Sequence, residues 1–135
     1  MDQNKLSEDG TSAIRIARWN EQGTIYAYGQ SDKGSDWTTI KFITDEGRPL
    51  EDKIEKVRYS CLTWTKAGTG VFYNSYASQK GKTDGTETTG NKNQLLMFHR
   101  LGTNQADDIQ VISFPDEPLW MSSASVSDCG KYIIL

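Results

Sequence analysis

The chain has 135 residues, of which 15 are basic and 18 are acidic, and its formal net charge is −3 at pH 7. The basic residues are scattered and form no stripe, which argues against a nucleic-acid-binding surface. No apolar run approaches the roughly 20 residues that a transmembrane helix needs.

The first ten residues, MDQNKLSEDG, contain no apolar segment and do not have the pattern of a signal peptide. Two cysteines, Cys61 and Cys129, cannot form a disulfide framework, and no N-x-[ST] sequon occurs. Together these features predict a reducing, cytoplasmic location.

Short β-rich runs separated by polar turns make up most of the chain. One stretch differs, because Leu50, Ile54 and Val57 fit a helical stripe, so a single helical turn is predicted within residues 50–57. Strands are predicted, in chain order, at residues 13–18, 24–28, 37–43, 57–60, 61–65, 71–76, 95–100, 109–114, 120–126 and 131–135.

The hairpins repeat along the sequence. Each repeat has an apolar residue, three mostly polar residues, a glycine (Gly23, Gly68, Gly130) and then an aromatic-rich β run. Trp19 and Trp64 occupy the same position 45 residues apart. A spacing of about 40–50 residues with a hairpin in each unit is typical of β-propeller blades. Runs such as LLMF and YIIL are apolar on both faces, as sheets stacked face to face require.

The predicted fold is therefore all-β, a partial β-propeller of about two and a half four-stranded antiparallel blades. The predicted segments are a lead-in at 1–12, a blade at 13–60, a second blade at 61–118 with a long polar loop at 77–93, and the first half of a further blade at 119–135. The apolar strand at 132–135 would be an exposed edge if it stayed unpaired. The chain is therefore expected to be a piece of a larger array.

Longer strings then resemble a known family. GSDWTTIKF (34–42), VRYSCLTWTKAGTGVFYNSY (57–76), KTDGTET (82–88), LGTNQADDI (101–109) and FPDEPLWM (114–121) resemble the prolyl oligopeptidase family, in order and over nearly the whole chain. In that family a β-propeller caps an α/β-hydrolase domain, and the joined serine endopeptidase cleaves short peptides after proline. The resemblance implies that this chain is a non-catalytic propeller segment. Its implied partners are the catalytic domain of the same parent chain and short proline-containing peptides, and no cofactor is implied.

The resemblance also assigns roles to three residues. Tyr59 and Met121 correspond to positions that line the outer part of the substrate pocket, where an apolar wall selects by shape and desolvation. Relatives often have phenylalanine at the first of these positions, so the Tyr59 hydroxyl is a departure. Asp36 corresponds to a position near the interface between the domains. The alternatives are packing between blades for Tyr59 and Met121, and turn capping for Asp36.

The polar tract at 77–93 matches, by the same resemblance, a loop that borders the opening between the domains. The hypothesis for this tract is that it gates the entry of peptides.

No catalytic machinery is visible in the sequence. There is no G-x-S-x-G elbow, and His99, the only histidine, lies in the strand-like run LLMFHRL, which favours a structural role. Cys61, Cys129 and His99 lack the spacing of a zinc site. TDGTE (83–87) and DD (107–108) match no calcium loop and are predicted to be turns. The chain alone is predicted to be inactive, and the alternative is a stand-alone propeller-like binding module without peptidase activity.

Overall fold

A computed structural model describes residues 11–76 and 92–135 of the chain. Residues 1–10 of the predicted lead-in, and most of the tract at 77–93 with its hypothesised gating role, lie outside the described residues. The strands are β1 (Ala13–Trp19), β2 (Ile25–Ser31), β3 (Thr38–Thr44), β4 (Pro49–Trp64), β5 (Gly70–Ser75), β6 (Leu95–Arg100), β7 (Ile109–Ser113), β8 (Ser125–Val126) and β9 (Ile133–Ile134). A 3-10 helix, Gln105–Asp107, precedes β7.

The strands follow one another in space as they do in the sequence. β1 to β7 form one sheet in chain order, and every neighbouring pair is antiparallel. β8 and β9 form a separate antiparallel hairpin. Sequential antiparallel strands arise where short turns connect neighbours, and the all-β prediction is confirmed.

The helical turn predicted within residues 50–57 is wrong, because these residues belong to the long strand β4. Leu50, Asp52 and Ile54 are the more buried positions, which is the two-residue period of a strand. Asp52 is polar, so it hides this alternation in the sequence. Beyond Ile54 the register against β3 is irregular and Lys56 has a φ of 58°, so the next buried residue is Val57. A bulged strand therefore reproduced the spacing of a helix.

β4 takes part in two groups of strands. Its first half pairs with β3 and its second half with β5, and Val57 pairs with both Thr38 and Ser75. Tyr59 also has a positive φ, 46°. The strand thus has an irregular corner at residues 56–59, next to the predicted blade boundary between residues 60 and 61. The boundary itself stays a prediction.

Apolar side chains are buried on both faces of β5, whose six residues are all buried. Val71 and Tyr73 pack into a core cluster with residues of β2, β3 and β4. Phe72, on the opposite face, packs with Leu96 and Ala124. Burial on both faces of the middle strands is what face-to-face stacking of sheets produces.

The three glycine turns have the same backbone geometry. Gly23, Gly68 and Gly130 have φ angles of 70°, 70° and 71°, a region that residues with a side chain rarely adopt. The amide of each donates to the carbonyl three residues earlier, at 3.0, 2.9 and 2.8 Å. Successive turns also touch, since Gln22 Nε2 donates to the Lys66 carbonyl at 2.9 Å. The repeat seen in the sequence is therefore a repeat of the backbone.

The two tryptophans of the repeat share a position but differ in burial. Trp64 is 9% exposed, since its ring meets Phe42 edge-on at 5.9 Å and its Nε1 donates to the Arg18 carbonyl at 3.1 Å. Trp19 is 50% exposed and packs against Tyr26 of the neighbouring strand. The difference arises because residues of β1 and β3 cover Trp64.

Candidate functional site

The corner of β4 brings two of the three predicted site residues together. The Tyr59 hydroxyl lies 3.3 Å from Asp36 Oδ2. Arg58 Nη2 donates to the same oxygen at 2.9 Å. The guanidinium carbon of Arg58 lies 5.1 Å from the centre of the Tyr59 ring and 5.2 Å from that of Trp37, a favourable arrangement for a cation. We call Asp36, Trp37, Arg58 and Tyr59 the corner cluster.

Strand pairing explains why these residues meet. Thr38 of β3 pairs with Val57 of β4. The same antiparallel register, continued outward, places residues 36–37 across from residues 58–59. The corner cluster is thus two short segments, each an ionisable residue beside an aromatic one, facing each other across the end of a strand pair.

The charges of the corner cluster are held in different surroundings. The Arg58 side chain is 12% exposed, whereas that of Asp36 is 53% exposed. The hydrogen bond from Arg58 holds the pKa of the Asp36 carboxyl below its usual value. Asp36 is therefore ionised at neutral pH. Arg58 Nε is buried and has no hydrogen-bond partner among the described residues.

A cavity of about 260 Å³ opens beside the corner cluster. Asp36, Arg58 and Tyr59 line it on one side, and Arg15 and Ile16 of β1 line it on the other. Tyr59 is 51% exposed. This lining combines an aromatic face with fixed charges, so it offers a ligand both apolar contact and hydrogen-bonding groups. Charged side chains therefore surround Tyr59, whereas the resemblance implies an apolar lining; the pocket role of Tyr59 stays a prediction.

Met121, the third predicted site residue, lies in the connection between β7 and β8 and is 59% exposed. The preceding Trp120 packs against Phe114 at a ring distance of 5.3 Å. The amide of Asn93 donates to the Pro118 carbonyl at 2.7 Å. These contacts hold the FPDEP segment that precedes Met121.

Two buried amides join the Tyr59 corner to the Met121 connection. Asn74 and Gln94 are 0% and 2% exposed, and we call them the amide pair. Gln94 Nε2 donates to the Tyr59 carbonyl and to the Tyr76 hydroxyl, both at 3.2 Å. Gln94 Oε1 accepts from the Ser122 amide at 3.0 Å and from Asn74 Nδ2 at 3.2 Å. One side chain therefore contacts the backbone of both segments.

Asn74 completes the connection. Its Nδ2 also donates to the Ser122 carbonyl at 2.9 Å, and its Oδ1 accepts from the Cys61 amide at 2.8 Å. Its own backbone amide donates to Ser60 Oγ at 2.7 Å. The two amide NH₂ groups thus use all four of their hydrogens.

His99, in β6, is 0% exposed and lies between two carboxylates. Its Nδ1 is 2.6 Å from Asp108 Oδ1, and its Nε2 is 3.1 Å from Asp52 Oδ1. The Tyr73 hydroxyl donates to the other Asp108 oxygen at 2.7 Å, and burial raises the pKa of that hydroxyl. Both ring nitrogens of His99 are occupied, so neither is placed to take a proton from a serine.

The described ranges contain neither a candidate metal site nor a candidate membrane span. No group of three or more His, Cys, Asp or Glu residues in residues 11–76 and 92–135 is arranged to hold a metal ion. No helix in those ranges is long and apolar enough to cross a membrane. Cys61 and Cys129 are both free thiols.

Arg58, Asn74 and Gln94 are residues of the candidate site that the sequence does not single out. Arg58 leaves one signal in the sequence. It precedes the aromatic residue Tyr59, as the oppositely charged Asp36 precedes Trp37. Asn74 and Gln94 leave none. Each is an amide in or beside an apolar run, and their partners lie up to 48 residues away in the chain.

Comparison with known proteins identifies the fold. The family model described as "Prolyl oligopeptidase, N-terminal beta-propeller domain" matches residues 1–135. The chain belongs to this family. Its strands are accordingly part of a β-propeller, and the predicted all-β fold class is confirmed.

Curated relatives of the prolyl oligopeptidase family match along the whole chain. Prolyl oligopeptidase A of Amanita bisporigera is 34% identical over 99% of this chain. The prolyl endopeptidase of Elizabethkingia meningoseptica is 32% identical over 100% of it. The chain spans only 20% and 19% of the length of these relatives.

Solved structures of the family agree. Prolyl oligopeptidase B from Galerina marginata, bound to a 35mer hydrolysis and macrocyclization substrate, matches with a TM-score of 0.88 and 27% identity. The match covers 98% of this chain and 19% of that one. A prolyl endopeptidase from a study of inter-domain dynamics matches with a TM-score of 0.82 and 30% identity, and this chain covers 18% of it.

Proposed function

We propose that this chain is a non-catalytic propeller segment of a prolyl-oligopeptidase-like serine endopeptidase that cleaves short peptides after proline. In this role it caps the active site and restricts the size of substrates. The observation that carries the proposal is the family match over residues 1–135 together with the small share of each relative that the chain covers. Most of the enzyme, including its nucleophile, then lies in other segments of the parent protein.

Tyr59 and Met121 form part of the outer substrate pocket in this proposal. Both are about half exposed, and both lie where the chain passes from one group of strands to the next. Their contact with a peptide would be apolar, so they contribute to substrate binding and not to bond cleavage. Asp36, kept ionised by Arg58, is available for a polar contact with the catalytic domain.

The test uses the full-length protein that contains this chain and a fluorogenic reporter with a Gly-Pro sequence. We expect cleavage after proline, and no cleavage by the isolated 135-residue chain.

Tyr59→Ala and Met121→Ala in the full-length protein should each raise KM about fivefold and leave kcat within about twofold. An equal loss in kcat, or no change in either constant, would contradict the pocket role.

Size restriction needs its own measurement. The same proline-containing sequence is offered as a free peptide and as an exposed loop of a folded protein. We expect cleavage of the free peptide only, because a cap admits flexible chains and excludes folded ones. Equal cleavage of both would reject the capping role.

A cytoplasmic location is also part of the proposal, and fractionation of the source cells tests it.

A stand-alone binding module is the second candidate. The observation that favours it is the cavity beside Arg58 and Tyr59, which is lined within this chain and needs no second domain. Binding of proline-containing peptides by the native protein, with no hydrolysis under any condition, would select this candidate over the first.

A further inference from the structure

Every hydrogen-bonding atom of the Gln94 amide is occupied, and its partners lie in both predicted pocket segments. The Tyr59 carbonyl lies 35 residues before Gln94 and the Ser122 amide 28 residues after it. Since Gln94 is 2% exposed, water is not placed to replace either partner. A buried amide with all its hydrogen bonds made tolerates little displacement.

The segments that Gln94 joins are not otherwise fixed by regular pairing at these points. Tyr59 sits in the irregular corner of β4, where pairing with β5 shifts between Val57 and Leu62. Met121 and Ser122 lie in coil between β7 and β8. Where a ladder does not fix the backbone, side-chain hydrogen bonds decide its position.

We propose that the amide pair, Asn74 and Gln94, positions Tyr59 and Met121 relative to each other and so sets the width of the outer substrate pocket. This inference rests on the proposed function. Asn74 and Gln94 touch no substrate in it: they act through the two exposed side chains. They are positioning residues for the recognition of the part of a peptide that reaches the outer pocket.

The test measures KM and kcat of the full-length protein with two reporters, a short Gly-Pro reporter and one extended by several residues on its N-terminal side. Gln94→Glu keeps the shape of the side chain but removes both donors. We expect KM for the extended reporter to rise about fivefold, from the loss of two buried hydrogen bonds. The short reporter should change by less than about twofold, and kcat should change little for either.

Gln105 supplies a matched control. Its Nε2 donates to the Glu55 carbonyl and its Oε1 accepts from the Glu55 amide, both at 2.9 Å. It therefore joins the same strand, β4, to the 3-10 helix Gln105–Asp107 with an amide side chain, but away from Tyr59. Gln105→Glu should lower the melting temperature slightly and leave KM for both reporters unchanged. An equal rise in KM in the two variants would reduce the Gln94 effect to general destabilisation and overturn the proposal.

Tyr76→Phe is the second variant, which decides the matter if Gln94→Glu does not fold. It removes only the hydroxyl that accepts from Gln94, so a smaller rise in KM for the extended reporter is expected. No rise in a folded Tyr76→Phe protein overturns the proposal in that case.

A double-mutant comparison separates this inference from the proposed function. If Gln94 acts through Tyr59, then Gln94→Glu should add little to KM in a Tyr59→Ala background. Full additivity would contradict positioning. If Tyr59→Ala and Met121→Ala leave KM unchanged, the pocket role itself fails. If they raise KM and Gln94→Glu does not, only the inference fails.

Discussion

The environment of His99 makes it a stabilising residue. Its ring lies between Asp52 and Asp108 and stacks on Phe42 at 6.0 Å. His99→Ala should lower the free energy of unfolding by about 3–5 kcal/mol, because two largely buried carboxylates lose the group between them. Urea unfolding of the full-length protein, followed at the transition of the propeller, measures this change.

An exposed ion pair provides the comparison for His99. Arg48 pairs with Glu46, and their side chains are 74% and 65% exposed. Arg48→Ala should change the free energy of unfolding by no more than about 1 kcal/mol, since water screens the pair. If His99→Ala costs no more than Arg48→Ala, the stabilising role of His99 is wrong.

Asp36 and Arg58 give a prediction about pH. The folded-state pKa of Asp36 is lowered, so the pair stabilises the fold fully above the ordinary carboxyl value of about 4. That stabilisation disappears as the pH falls through the lowered pKa. In Arg58→Met the pKa of Asp36 should rise toward its ordinary value. Carboxyl carbon NMR against pH, on protein labelled at aspartate, measures the shift.

Arg18→Met is the control for that titration, because it removes a cation from β1 that is not a partner of Asp36. It should leave the pKa of Asp36 where it is in the unmodified protein. The stability difference between the unmodified protein and Arg58→Met should be constant near neutral pH and shrink in acid. A difference that grows in acid would contradict the assignment of the pair.

At the scale of one element, the corner of β4 is the strained part of the sheet. Lys56 is exposed and has a φ of 58°, which costs a residue with a side chain about 1 kcal/mol or more. Lys56→Gly should therefore raise the free energy of unfolding by about 0.5–1 kcal/mol. Thermal unfolding of the full-length protein measures the change.

Lys53 offers a matched change in the same strand. It is exposed and pairs with Lys41 of β3, and it is not among the positive-φ residues of the described ranges. Lys53→Gly should lower the free energy of unfolding by about 0.5–1 kcal/mol, because glycine gains freedom only in the unfolded chain. Destabilisation by both substitutions would argue that the φ of Lys56 carries no strain.

The strands show which features a sequence reveals and which it does not. β3 was predictable because Ile40 and Phe42 alternate with polar residues and both are fully buried. The hairpin at Gly23 was predictable because its turn needs a positive φ. The first half of β4 was not, because its pattern is set by a tertiary contact of Asp52 and by the irregular pairing near Lys56. A local pattern is reliable only where the residue faces a generic apolar core.

The candidate site divides along the same line. The family resemblance assigns site roles to Tyr59, Met121 and Asp36, and those roles stay predictions. The contacts of Arg58 and Gln94 depend on which distant segments meet. Strand pairing between residues several tens of positions apart decides which segments these are. The sequence contains these residues but does not show that they contact one another.

On the scale of the whole molecule, stacking of successive sheets determines what is exposed. Trp64 is buried because preceding strands cover it, whereas the hairpin β8–β9 has exposed apolar residues in its last strand and on either side of it. Tyr132, Ile133, Ile134 and Leu135 are 67%, 50%, 60% and 60% exposed. A run of exposed apolar residues of this kind favours association with another sheet.

The isolated 135-residue chain is therefore expected to self-associate through this surface. Each unit of a stacked array depends on its neighbours for stability, so a chain without them contacts other copies instead. Ile134→Lys should shift the chain toward monomer, whereas Ile109→Lys, at a residue that is 61% exposed on β7, should not. Light scattering coupled to size-exclusion chromatography distinguishes these outcomes. A monodisperse monomer that melts cooperatively without any substitution would contradict the dependence on neighbouring units.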